Sequence, residues 1–256
     1  MHGFNPGFRG TFSGLTFQAP QASGRYAEPM ITDPAGAITL VAFCRRPAPG
    51  VGKRRLAAEL GDQATLTISE LLLATTLEDL AAWPGPRVIA PADPADEPWA
   101  RSLPVALDDV VAQPDGNLGD RLGAVDRLLR QRGHARLLYI GSDAPVLAAA
   151  DYGEAARALG THDVVLGPAL DGGVTCLGSR RAWPELNRLP WSGEQLHRAL
   201  QASCESAGLT VRNLAPRYDV DVPGDLRRLC RDLATDARPA RRALYRVLAS
   251  LGYSRA

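Results

Sequence analysis

The sequence predicts a layered α/β fold, and three observations carry that prediction. Strand-like and helix-like segments alternate through most of the 256 residues, the pattern of a sheet covered by helices. The strand candidates are short, nearly continuous apolar runs, such as Leu40 to Phe43 and Leu137 to Ile140. Such runs suit a mostly parallel sheet buried on both faces. Hydrophobic residues make up 45% of the chain, enough core for a single α/β domain of this length.

The charge balance limits the partners. A formal net charge of +1 argues against a broad polyanion-binding surface, so no nucleic-acid partner is expected, while a local basic pocket stays open. Cys44, Cys176, Cys204 and Cys230 lack CxxC spacing and read as reduced, mostly buried thiols. No apolar run approaches the roughly 18 residues of a membrane span. The first residues lack a basic start followed by a secretory-type apolar core. A cytoplasmic protein without membrane insertion is the expectation, and a homo-oligomer is left open.

Residues 1–36 are rich in Gly, Pro, Ser and Ala, and Phe4, Phe8, Phe12 and Phe17 show no regular period. They read as an irregular extension, with residues 37–256 as the folded domain. The first strand ends in RRPAPGVGKRR, which places Arg45, Arg46, Lys53, Arg54 and Arg55 in eleven residues around Gly50 and Gly52. A strand, a glycine-rich cationic loop and a helix start suggest a phosphate-binding corner. The same residues also read as a solvated surface loop. Helices are expected over Arg54 to Leu60 and Leu66 to Leu80, and strands at Arg87 to Ala90 and Val105 to Leu107.

Gln113 to Leu129 reads as a turn at Asp115, Gly116 and Asn117 feeding a helix with Leu118, Leu122, Val125 and Leu129 on one face. Gly119 permits close backbone approach. The LLYI run then ends in GSDAP, placing Asp143 just past a strand end, where open α/β sheets bind ligands. Asp143 reads either as a catalytic or metal-binding acid or, with Ser142, as the cap of a helix beside Pro145. A further strand near Val164 leads into LDGG and a return strand, Val174 to Leu177. There Asp171 is a substrate ligand or a turn residue, and Gly172 and Gly173 mark a tight turn or a backbone contact to substrate.

Ser192 is expected to cap the helix Glu194 to Ser203, and Thr210 to Leu214 is a strand candidate. Asp219 and Asp221 are two apart, so in extended backbone both point the same way. With Asp143 they offer the hard oxygen ligands that Mg²⁺ prefers. Pro223 opens a helix, and Pro239 separates it from a last one.

In this order, the segments resemble the DUF2064 family of predicted glycosyltransferases of the arsenosugar-biosynthesis type, within the GT-A, or nucleotide-diphospho-sugar transferase, superfamily. The resemblance runs roughly from Thr39 to Leu229. Its motifs match Arg45, Pro47, Pro49, Gly50, Lys53, Arg55 and Leu56 in the first loop, then Gln113, Gly116, Leu118, Gly119 and Arg121. They continue with Gly141, Asp143 and Pro145, then Gly167, Pro168, Asp171, Gly172 and Gly173, then Trp191 and Ser192, and lastly Asp219, Val220, Asp221, Asp225 and Leu226.

The resemblance implies a three-layer α/β/α sandwich around a mostly parallel sheet. It implies a first loop, including Gly52, that holds nucleotide base and phosphates, and a DGG segment on the donor-sugar or acceptor floor. It makes Asp143 and Asp221, helped by Asp219, the acids for Mg²⁺ or Mn²⁺. Arg54, Val174 and Val222 depart from the family's usual Thr, Tyr and Thr.

The function expected is a metal-dependent transferase that uses a nucleotide-sugar and a small-molecule hydroxyl acceptor. Lys53 would stabilise phosphate charge and Asp171 would act as general base. The alternatives are a nucleotidyltransferase that activates a phosphorylated small molecule and a non-catalytic nucleotide-binding protein.

Overall fold

The computed structural model describes Gly10–Phe12, Leu15–Phe17 and residues 37–254. The first two segments, β1 and β2, pair antiparallel, within a stretch expected to be irregular. The rest of that stretch lies outside the described residues.

The main sheet has seven strands. In chain order they are β3 (Ile38–Cys44), β4 (Arg87–Pro91), β5 (Asp109–Val110), β6 (Arg136–Gly141), β7 (Val164–Pro168), β8 (Val174–Ser179) and β9 (Val211–Asn213). The spatial order is β5-β4-β3-β6-β8-β7-β9. All neighbours pair in parallel except β8, which runs against both β6 and β7. The sheet is therefore mostly parallel, as the apolar runs imply. The strand near Val164 is not next to β6, however, because the return strand inserts between them.

Strand periodicity feeds two cores from one sheet. Ile38, Leu40, Ala42, Leu138, Ile140 and Val165 face one core. Val41, Val88, Leu137, Tyr139, Val164 and Leu166 face the other. The first is covered by α2 (Asp62–Ala82) and α5 (Ala149–Thr161), and the second by α4 (Leu118–Gln131) and α6 (Leu196–Ser206). This is a three-layer α/β/α sandwich. A third apolar cluster joins α1 (Arg54–Leu60), the outer face of α2, α7 (Pro223–Asp232) and α8 (Pro239–Ser250). Buried leucines run round α2 on both sides, Leu73, Leu77 and Leu80 toward the sheet and Ile68, Leu71 and Leu72 away from it, so this helix lacks a polar face. Among the described residues, no helix is long and apolar enough to cross a membrane. The four cysteines are buried and unpaired, and burial pushes the thiols of Cys44 and Cys176 up to about 12.

Three local expectations shift. The strand expected at Val105 to Leu107 forms instead at Asp109–Val110, while Val105 and Leu107 pack as loop residues against the core. Ser192 does not cap α6. Turns that join Gly193 N–H to Pro190 O and Leu196 N–H to Gly193 O delay the helix, leaving Gln195 at its cap without a side-chain bond. No helix begins beside Pro145 either: the chain runs on as a loop over residues 143–148 and α5 starts at Ala149, while a short α3 (Glu97–Arg101) lies earlier in the chain, after β4.

The N-terminus of α7 is capped from one side only. Asp225 Oδ2 accepts from the Asp221 and Val222 amides, both at 2.8 Å, but Val222 has no side-chain oxygen to return. Val222→Thr is expected to stabilise the protein by about 1 kcal/mol, read as a rise in melting temperature. An unchanged melt would show that the Asp225 half of the cap already suffices.

Candidate functional site

The loop between β3 and α1 makes a tight descent onto the sheet's carboxyl edge. A turn joins Val51 N–H to Ala48 O, and Gly50 and Gly52 have φ of 72° and 69°. A Cβ at either glycine would meet nothing within 4 Å. These glycines are required for left-handed backbone and not for space. Lys53 continues the turn with φ 42° and ψ 39°, the one positive φ at a non-glycine among the described residues. That conformation costs an L-residue roughly 1–2 kcal/mol and is the kind of local strain that functional sites retain.

The turn aims Lys53 across the strand ends. Its Nζ donates to Asp143 Oδ2 at 3.1 Å and to Asp221 Oδ1 at 2.8 Å. Carboxylate oxygens of Asp143, Asp219 and Asp221 all lie within 4.8 Å of one another. Backbone holds the two acidic segments together, because Val220 N–H donates to Asp143 O at 2.9 Å. Gly141 makes room as well, since a Cβ there would sit 2.7 Å from Asp143 Oδ1. The Asp143 side chain therefore folds back toward the sheet and caps no helix. Lys53 does not stand across a cleft from these acids. It sits among them.

The electrostatics fit a cation. Burial would lower the Lys53 ammonium, but Asp143 and Asp221 outweigh it and hold its pKa above the usual lysine value. Asp219 is pushed up to about 6, first by burial and then by the charges of Asp143, Asp221 and Asp171. Three carboxylates with one ammonium leave two formal negative charges in excess, the charge of a divalent ion. The donors are hard oxygens, the chemistry that Mg²⁺ and Mn²⁺ favour. The Lys53 ammonium is itself a cation held at this place. The Asp143 and Asp221 side chains keep 38% and 52% of their surface exposed, so solvent and ions reach them.

The first half of the same loop borders a cleft of about 770 Å³. Arg45, Arg46, Pro49 and Val51 line it from the loop, Arg121 from α4, and Asp93 and Asp96 from the loop after β4. Arg46 pairs with Asp96 at 3.4 Å and lies 5.9 Å from the Trp99 ring centroid. It is the cleft cation that motif matching passes over, although it is adjacent to Arg45 in sequence. Arg55 is exposed on α1 and is not part of the lining.

Five residues expected at the ligand have contacts within the scaffold. Gln113 is buried, and its amide donates to Ala90 O at 2.6 Å. Gly119 is where α4 meets the 186–191 loop: a Cβ there would lie 2.3 Å from Leu186 O and 2.4 Å from Trp191 Nε1. Gly172, with φ of 92°, packs beneath α6, its Cβ position 1.8 Å from Glu194 O. The Gly173 amide donates to Asp171 Oδ1 at 2.9 Å. Asp171 is thus a turn residue, exposed, with its charge felt at Asp219.

Residues 76–193 match the DUF2064 family, described as an uncharacterized protein conserved in bacteria. No curated protein matches the chain. Among solved structures, a protein from Desulfovibrio desulfuricans G20, provisionally named a nucleotide-diphospho-sugar transferase, has a TM-score of 0.75 at 24% identity. That match covers 84% of this chain and 95% of the other. A nucleotidyl transferase from Methanothermobacter has a TM-score of 0.50 at 19% identity, over 78% of this chain and 99% of its own. A protein from Mycobacterium sp. strain JC1 has a TM-score of 0.50 at 18% identity, over 83% and 98% of the two chains. The fold is that of the nucleotide-diphospho-sugar transferase-like proteins.

Proposed function

We propose that the protein is a cation-assisted transferase of a nucleotide-linked small molecule, and that its reaction is nucleotidyl transfer to a phosphorylated acceptor. The observation that carries this reading is the single loop 45–53, whose cations line a cleft at one end and enter a triad of carboxylates at the other. Arg45, Arg46 and Arg121 line the cleft and Lys53 stands at the far end of the same loop, a spread of cations that suits an extended chain of phosphates. The likeness to the Methanothermobacter nucleotidyl transferase points the same way.

In such a reaction an acceptor phosphate oxygen attacks the α-phosphorus. The bond from that phosphorus to its bridging oxygen breaks, and pyrophosphate leaves with the electron pair. Arg45, Arg46 and Arg121 would orient the triphosphate, and Lys53 would meet the charge that grows on the leaving group. Asp143, Asp219 and Asp221 would hold a divalent cation, which when bound offsets charge on the phosphate oxygens. A phosphate acceptor is ionised near neutral pH and needs no general base, which suits an Asp171 already engaged in a turn.

The second reading is sugar transfer to a hydroxyl acceptor, favoured by the name given to the Desulfovibrio protein. Incubation with nucleoside triphosphates, sugar phosphates and Mg²⁺ or Mn²⁺ should release pyrophosphate. Release of nucleoside diphosphate from nucleotide-sugars would replace the first reading with the second. Tight nucleotide binding without turnover in any mixture would end both and leave a binding protein.

Lys53→Ala is expected to weaken triphosphate binding about 10- to 100-fold, the worth of one charge-assisted hydrogen bond. Because the ammonium no longer competes for the carboxylates, Mn²⁺ affinity should stay level or rise. Calorimetric titration reads both, and unchanged triphosphate affinity would take Lys53 out of the phosphate site.

A further inference from the structure

Arg241, in α8, is fully buried and is the largest such side chain among the described residues. All five of its N–H donors are used. Nε donates to Pro145 O at 2.9 Å, and Nη1 to Thr75 O at 3.1 Å and Glu78 Oε2 at 2.9 Å. Nη2 donates to Asp79 Oδ2 at 2.7 Å and Leu147 O at 3.1 Å. Two of the five bonds therefore end on carbonyls of the loop that starts with Asp143.

Stability alone is a weak reason for this arrangement. Buried ion pairs exchanged for apolar residues of similar volume are often neutral or stabilising, because desolvation offsets the attraction. The bonds to Pro145 O and Leu147 O are different in kind. They satisfy buried loop carbonyls that have no strand partner, and a planar fork holds them at fixed directions. Glu78 and Asp79, both on α2, fix that fork from behind. Arg238 adds a second donor to Leu147 O at 3.0 Å. The chain thus runs from a rigid helix pair to the loop, and from the loop to the carboxylate beside Lys53.

We propose that Arg241 is a positioning residue for the candidate cation site: it holds the 143–147 loop so that Asp143 meets Asp219 and Asp221. The proposal rests on the reading of those acids as cation ligands. Arg241 lies beyond residues 76–193, so the family match alone does not reach it.

The test is Arg241→Lys, which keeps the charge facing Glu78 and Asp79 but replaces the fork with a point donor. Mn²⁺ binding is measured by electron paramagnetic resonance well below the melting temperature, with exchange of the Val220 amide followed in the same samples. The expected result is Mn²⁺ binding weaker by about 10- to 100-fold, as loss of an outer-shell partner gives, and faster exchange at Val220, whose N–H bonds to Asp143 O. A merely structural role would lower the melting temperature and leave both readouts of the folded protein unchanged, which would overturn the proposal. Should Arg241→Lys not fold, Arg241→Met with Glu78→Gln and Asp79→Asn, free of unpaired buried charge, takes its place with the same expectations. If wild type itself binds no Mn²⁺, the cation reading fails separately, and Val220 exchange alone decides whether Arg241 holds the loop.

Discussion

Asp143→Asn is expected to lose divalent-cation binding while remaining as stable as wild type. The side chain is a carboxylate in a triad whose oxygens lie within 4.8 Å of one another. Its loss should cost at least the roughly 100-fold that removal of an outer-shell partner reaches. The stability side is small for two reasons. The Lys53 pair it gives up is 38% exposed on the carboxylate side, where such pairs are worth about 0–1 kcal/mol. The substitution also removes one charge that repels Asp219, whose proton affinity Asp143 helps to raise. Asparagine keeps the shape and one oxygen, so the fold over Gly141 persists. Mn²⁺ titration and thermal melting on the same samples check both halves. Wild-type cation affinity in the variant would remove Asp143 from the site, and a large drop in melting temperature would make it a structural acid.

Gly119→Ala is expected to destabilise the protein through a single added methyl. It would place a carbon 2.3 Å from Leu186 O and 2.4 Å from Trp191 Nε1, which are bonded to each other at 2.7 Å. Overpacking costs about 1–3 kcal/mol, and here one contact is backbone and the other a hydrogen-bonded indole, so neither yields cheaply. Alanine's better helix propensity returns at most about 1 kcal/mol. The net loss of roughly 2 kcal/mol corresponds to a fall in melting temperature of about 4–8 °C for a domain this size. Gly123 is the internal control: it is four residues on in α4, where an added Cβ meets only Arg127 Nη1 at 3.4 Å. Gly123→Ala should be neutral or stabilising. Equal effects at the two glycines would show that propensity and not contact governs this helix.

That contrast bears on how much was legible in the sequence. The sheet's main strands were readable because burial on both faces leaves an unbroken apolar run at Leu40 and at Leu137. The acids of the site were readable because strand ends place them: Asp143 follows β6, and a two-residue spacing turns Asp219 and Asp221 the same way. Motif position could not separate a glycine that touches a ligand from one that touches its own chain. Gly119 and Gly172 sit in matching motifs, yet Leu186 and Glu194 are what crowd them. Gln113 is similar, since an amide next to a glycine turn gives no sign that a strand carbonyl will accept from it. Arg241 was illegible because its partners are 94 to 166 residues away and more than one is backbone. β5 was displaced because the alternation of Val105 and Leu107 came from packing of a loop.

The double burial of α2 has a consequence for how the chain is made. Synthesis proceeds from the N-terminus, and domains begin to organise as they emerge. The strands and helices that cover one side of α2 are complete by about the end of β9. On its other side Ile68, Leu71 and Leu72 are covered by α1 and by the helices at residues 223–250, which emerge only after the strands of the sandwich. Until then the nascent protein carries a leucine-rich flank covered only by α1 on an otherwise assembled sandwich. A pause late in translation, or a stop codon shortly before Pro223, would prolong that exposure and offer chaperones and proteases their clearest point of attack.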